Sequence, residues 1–167
     1  MTLDSPVILN YPDPKLVEAN SPLERYDEEA ALRVRQMFAC MYEVEGVGLA
    51  APQIGWNVQL FVVNFTGDPA DERVFWNPKI GLSGDPETDL EGCLSFASIM
   101  VDVPRFPEVC LEAQTPEGPI KEVFQGKEAR GIQHEYDHIK GKLFIGRMDG
   151  RERAYLLKEF SRMGYRV

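Results

Sequence analysis

The chain has 167 residues, enough for one domain with a real core. Hydrophobic residues make up 44% and charged residues 27%, the balance of a soluble globular protein. A net charge of −9 argues against nucleic acid, DNA included, as a partner, because binding phosphate needs a basic face.

The opening Met1-Thr2-Leu3-Asp4 lacks the basic and apolar regions of a signal peptide. The longest aliphatic-aromatic run, Leu60-Phe61-Val62-Val63, is far too short to span a bilayer, so no membrane association is expected. Three cysteines form an odd set without framework spacing, which fits a reducing compartment and predicts a cytoplasmic protein. No repeat, low-complexity tract or linker divides the chain. Residues 1–167 therefore read as a single domain, with 151–167 as a basic C-terminal helix.

Val7-Ile8-Leu9 reads as a short strand stopped by Pro12 and Pro14. A helix is predicted from about Tyr26 to Glu43, with Ala30, Val34, Met37, Phe38 and Met41 at helical spacing and Asp27, Glu28 and Glu29 at its positive end. Cys40 within it reads as core. The small residues of Gly46-Val47-Gly48-Leu49-Ala50-Ala51-Pro52-Gln53-Ile54-Gly55 let a backbone run close to something, but the stretch lacks the Gly-Lys-Ser/Thr ending of a phosphate loop. Gln53 there could donate to a developing negative oxygen, or simply be solvated at a tight turn.

Val58 to Phe65 is rich in strand formers, and Val74–Trp76 with a stretch near Ile80 reads as its neighbour. Cys93, in Glu91-Gly92-Cys93-Leu94-Ser95, sits among small, turn-prone residues, so a metal-binding thiolate and an ordinary thiol both remain open. Val109–Ala113 and Ile120–Phe124 read as a hairpin, with Cys110 in its core.

Gly126 to Ile139 is the predicted central helix, with Gly141 as its stop. Gly131 inside it signals close packing against another element or a substrate. The helix carries the only two histidines of the chain, in Gln133-His134-Glu135-Tyr136-Asp137-His138. At i and i+4 both imidazoles lie on one face and can share a divalent metal, with Glu135 placed as general base for its water. A catalytic site of this kind wants a third protein ligand and an open position. Nothing downstream is attractive; upstream, Cys93 would complete a Cys/His/His set. Asp137 suits an outer hydrogen bond better than ligation. A strand at Leu143–Ile145 and a helix from about Arg151 to Met163 close the chain. From Arg151 onward five Lys/Arg face two Asp/Glu, a local charge of +3. The fold class is α+β: mostly antiparallel sheets packed around the central metal-binding helix, with a C-terminal helix.

Three motifs, in order, resemble the peptide deformylase family: Gly46 to Gln53, Glu91 to Ser95, and Gln133 to His138. The resemblance extends over essentially the whole chain. It implies removal of the formyl group from N-formylmethionine on new polypeptides, with release of formate. Carried onto this chain, it makes Cys93, His134 and His138 the ligands of one divalent metal per chain. Ferrous iron would be preferred, with zinc, nickel or cobalt as substitutes. Glu135 would be the general base, and Gln53 and the backbone N–H of Leu94 the oxyanion donors. Gly48, Val47, Glu45 and Glu91 would line the substrate cleft. Family analogy together with the local +3 charge suggests that the C-terminal helix docks on the ribosome.

Two features depart from the family pattern. Phe96-Ala97-Ser98-Ile99-Met100 stands where a proline is common, in what reads as a loop bordering the cleft. Gly131 stands where a bulkier residue is common, which would enlarge the pocket for the methionine side chain. Two rival readings follow from the residues: an H-E-x-x-H peptidase, which lacks its downstream ligand here, and a non-catalytic metal module closed by Cys40 or Cys110.

Overall fold

The computed structural model describes residues 6–164, except for the side chains of Ala97 and Ser98. The readings made on Met1–Asp4 and on the last three residues of the basic C-terminal segment lie outside the described residues.

Helix α1 spans Glu28–Glu43 and starts where the Asp27 carboxylate accepts from the Ala30 N–H. It ends in a paired closure, with Gly46 N–H donating to Met41 O and Glu45 N–H to Tyr42 O. That closure holds Glu45 at φ +54°, a left-handed conformation that normally calls for glycine.

Seven strands follow among the described residues: β1 (Gly48–Ala50), β2 (Leu60–Val63), β3 (Arg73–Ser83), β4 (Glu87–Cys93), β5 (Phe96–Arg105), β6 (Glu108–Thr115) and β7 (Gly118–Gln125). Five form an antiparallel sheet in the order β1-β2-β3-β6-β7, while β4 and β5 make a separate antiparallel hairpin. Helix α2 (Gly126–Ile139) lies on the larger sheet, and α3 (Gly150–Arg162) follows. The expected α+β architecture is the one observed. Among the described residues no helix is long and apolar enough to cross a membrane.

The run Leu60-Phe61-Val62-Val63 is apolar throughout because β2 is covered on both faces. Phe61 and Val63 join Ala129, Ile132 and Ile139 of α2, whereas Leu60 and Val62 join Val34, Met37, Phe38 and Met41 of α1. A third cluster packs Cys93, Phe96, Val101 and Val103 of the hairpin against Phe144, Ile145 and Phe160. Helix α2 thus lies between the sheet and the hairpin, which reaches it through Arg105 to Asp137 and Glu91 to His134.

Several local expectations change. Val7–Leu9 forms no strand; Leu9 N–H and Tyr11 N–H make single bonds to Gln53 O and Ser95 O instead of a ladder. Leu143–Ile145 precedes and enters a 3-10 turn, Phe144–Arg147, with its apolar side chains still buried. Phe96 to Met100 is the start of β5 and not a loop. Cys110 is only partly buried, while Cys40 is in the core as expected.

Candidate active site

Helix α2 enters from β7 through Gly126 at φ +56° and is anchored by Gln133. The Gln133 amide donates to Phe106 O and accepts from Phe106 N–H, fixing the helix to the end of β5. The next residue, His134, and His138 one turn further on present Nε2 atoms 3.2 Å apart. Cys93 arrives from the hairpin, at the end of β4. A register shift between Gly92 and Cys93 turns its thiol inward, to 3.3 Å from His138 Nε2. The three candidate ligand atoms all lie within 4.8 Å of one another. Neither Cys40 nor Cys110 joins this group, so the fourth ligand needed by a closed, non-catalytic module is absent among the described residues.

The donor set fits a metal ion. At about 2.0–2.1 Å from nitrogen and about 2.3 Å from sulfur, tetrahedral geometry separates ligand atoms by roughly 3.3–3.6 Å. The observed spacings of 3.2 and 3.3 Å are close to that. Glu91 completes the fit: its Oε1 lies 2.6 Å from His134 Nδ1, so the proton sits on Nδ1 and the Nε2 lone pair faces the cluster. Burial alone would lower the His134 pKa, but the Cys93 thiol and the Glu91 carboxylate raise it well above the ordinary imidazole range. Burial, with the charges of His134 and Arg105 adding, holds His138 well below that range.

Glu91, expected along the substrate cleft, is buried and paired inside the protein. Arg105 donates to both of its oxygens, at 3.0 and 2.7 Å, and Arg130 adds a third contact at 3.3 Å. Its carboxylate is thus used up inside the protein. Burial would raise the Glu91 pKa, but hydrogen bonds from His134 and Arg105 outweigh it and hold the carboxyl at about 2. Arg105 also reaches Asp137 at 2.6 Å, and Arg147 grips the same carboxylate through two bonds. Asp137 accordingly serves this outer ion-pair network, as its spacing suggested. Arg105, Arg130 and Arg147 went unnoticed in the sequence; Val103-Pro104-Arg105 carries no local signal that its arginine turns inward.

Glu135 is 5% exposed, and burial pushes its carboxyl up to about 7 against the opposing charges of His134 and Arg105. Its Oε2 has no hydrogen-bond partner among the described residues, which leaves one oxygen for a reacting group. The other side of the carboxylate packs on β1: a Cβ added at Gly48 would lie 2.5 Å from Glu135 Oε1. Gln53 is 1% exposed, in the 3-10 turn Ala51–Ile54. The Ala50 N–H donates to its Oε1 at 2.9 Å, which turns Nε2 towards Ser95 Oγ at 3.2 Å and Cys93 Sγ at 3.8 Å. Leu94 begins the two-residue turn between β4 and β5, next to Cys93. Val47 is largely exposed at the mouth, beside Gly48 at the free edge of the sheet, with Glu45 in the turn before it.

Gly131 does not enlarge an empty pocket. A Cβ there would fall 2.6 Å from the Phe65 ring, so the glycine exists to admit that ring against the helix.

The chain matches the polypeptide deformylase family over residues 6–154. It is 36% identical over 161 residues to a peptide deformylase of Hahella chejuensis, covering 93% of this chain and 94% of that protein. To peptide deformylase 1B, chloroplastic/mitochondrial, of Arabidopsis thaliana it is 42% identical, over 84% of this chain and 53% of that one. Among solved structures, a Synechococcus elongatus peptide deformylase in complex with actinonin superposes with a TM-score of 0.88 at 35% identity. That likeness covers all of this chain, 100%, and 90% of the other.

Proposed function

The chain belongs to the polypeptide deformylase family, and from that premise we propose how its own residues divide the work. It is a metal-dependent hydrolase that removes the formyl group from the N-terminal formylmethionine of new polypeptides and releases formate. A single metal ion is its cofactor.

Cys93, His134 and His138 hold that ion, ferrous iron in the cell, with zinc, nickel or cobalt able to replace it. One thiolate and two imidazoles suit all four. When bound, the metal supplies Lewis acidity, lowering the pKa of water near neutrality and polarising the formyl oxygen. Glu135 takes the proton of the attacking water and passes it to the leaving amine, and its burial, which raises the carboxyl above its ordinary range, favours that exchange. Gln53 Nε2 and the Leu94 N–H donate to the oxygen as its negative charge develops. The substrate backbone runs along the open edge of β1 at Val47 and Gly48, with Glu45 at the entrance. Glu91 orients His134 instead of touching substrate.

The observation that carries this reading is the buried Glu135 carboxylate, with one oxygen unpartnered, on the same turn as the two histidines. Formate release from a formyl-Met tripeptide tests it, comparing wild type with Glu135→Ala at equal metal content. Turnover should vanish while the metal stays. Full activity in Glu135→Ala would overturn the assignment of the base.

The protein acts in the cytoplasm as one catalytic domain, and the basic helix α3 docks on the ribosome through its exposed Arg151, Arg153, Lys158 and Arg162. Charge reversal at these four positions should abolish co-sedimentation with ribosomes; unchanged co-sedimentation would refute the docking.

A further inference from the structure

His134 and His138 are held in different ways. The ring of His134 is fixed at its far nitrogen by Glu91, whereas His138 Nδ1 is buried without a partner among the described residues. The position of His138 therefore rests on its backbone. That backbone is in the last turn of α2, next to the final residue Ile139, where carbonyls lose their intrahelical partners and ends fray.

We propose that Asn20 is the positioning residue for His138, capping the end of α2 from 118 residues away in sequence. Its side-chain amide is buried and donates to Ile139 O at 3.2 Å and, more weakly, to His138 O at 3.4 Å and Glu18 O at 3.3 Å. Asn20 is itself held on the scaffold. Its carbonyl accepts from Gln59 Nε2 at 3.0 Å, and the neighbouring Ser21 bonds with Asn57 and Gln59. Lys140 Nζ closes the circuit by donating to Gln59 Oε1 at 2.9 Å. The contact is tight: a Cβ at Gly141, which follows the helix at φ +65°, would lie 2.8 Å from Glu18 O and 2.9 Å from Val17 O. The strap 17–21 is thereby locked onto the helix end and onto the approach to β2. The Gly141 N–H closes the turn on His138 O at 3.0 Å and the Lys142 N–H on Asp137 O at 2.9 Å, so loss of the amide donor frees the Ile139 carbonyl alone and shifts His138 relative to Cys93 and His134 without unwinding the turn.

The inference rests on reading those three residues as the metal site, and its test separates the two. Cobalt-loaded wild type, Asn20→Leu and Asn20→Asp are compared for their visible ligand-field spectra and for the rate of cobalt transfer to a chelator, well below the unfolding temperature. Leucine keeps the branching and aspartate the size and shape, and both lack the donor. Asn20→Gln restores an amide. Asn57→Ala is the control, because Asn57 anchors the same strap through Glu18 Oε2 without reaching the helix end. The expected result is cobalt loss about tenfold faster in the leucine and aspartate variants, with altered spectra, partial rescue by glutamine, and little change in Asn57→Ala. Unchanged cobalt loss and spectra in folded Asn20 variants would overturn the proposal. So would equal acceleration in Asn57→Ala, which would mean general loosening of the strap. If Asn20→Leu and Asn20→Asp do not fold, a glutamine variant losing cobalt at the wild-type rate with its Ile139 contact broken in a crystal structure overturns it as well. Wild type that takes up no cobalt would refute the metal site itself.

Discussion

Gly48→Ala is a small change with a calculable consequence. The new Cβ would lie 2.5 Å from Glu135 Oε1, 3.0 Å from Cδ and 3.1 Å from Cγ. Ordinary contact lies beyond about 3.4 Å, so the carboxylate must retreat by roughly 1 Å, and being the end of a flexible side chain it can. Stability should therefore suffer little. A displacement of about 1 Å at a catalytic group costs on the order of a hundredfold in rate, close to 3 kcal/mol in the barrier. The assay is kcat for formate release at equal metal content, with thermal unfolding alongside. In a Glu135→Ala background the same substitution should cost nothing further, because the clash and the base are both gone. A folded Gly48→Ala protein with kcat within threefold of wild type would refute the claim that Glu135 works from this fixed position.

Three further outcomes follow from the same geometry. Gln53→Ala removes a buried donor aimed beside Cys93 and should lower kcat by about 10²–10³, read from formate release with little change in metal content. In the metal-free chain, Glu91 titrates at about 2 when folded against an ordinary value of 4.5. A depressed carboxyl stabilises above the unfolded pKa, so this contribution, on the order of 3 kcal/mol, is complete above pH 4.5 and fades as pH falls towards 2. Denaturant titrations should show that slope in wild type and a flatter one in Glu91→Gln. Glu45→Gly relieves the left-handed backbone at φ +54° and should raise stability by about 1 kcal/mol, a shift of a few degrees in Tm. An unchanged or lower Tm would contradict that reading of the turn.

The parts of the site that sit on regular periodicity were legible in the sequence. His134 and His138 at i and i+4 can only share a face if the stretch is helical, and its amphipathic pattern says that it is. Gln53 was legible as a candidate donor, but not its orientation, which depends on the Ala50 N–H. The hairpin β4–β5 was hidden because its strands are short of alternating apolar residues where they matter: Gly92 interrupts the first, and exposed Met100 breaks the second. Glu91 was legible through the family motif, but its pairing was not, since whether a carboxylate faces a cleft or a buried arginine depends on where Arg105 points. Gly131 was correctly read as a close-packing glycine, but its neighbour is Phe65, distant in sequence and invisible to any local pattern. Phe65, Arg105 and Asn20 all act across long chain separations, and that is why they emerge only from the fold.

The most direct test titrates ferrous iron into metal-free protein under anaerobic conditions and follows formate release from a formyl-Met tripeptide. If Cys93, His134 and His138 form one catalytic metal site, activity should rise in proportion to bound metal and level off at one ion per chain. Cys93→Ser should bind the ion more weakly and shift that curve. Protein that carries one ion per chain and releases no formate, or whose activity does not track the ion, would contradict the account.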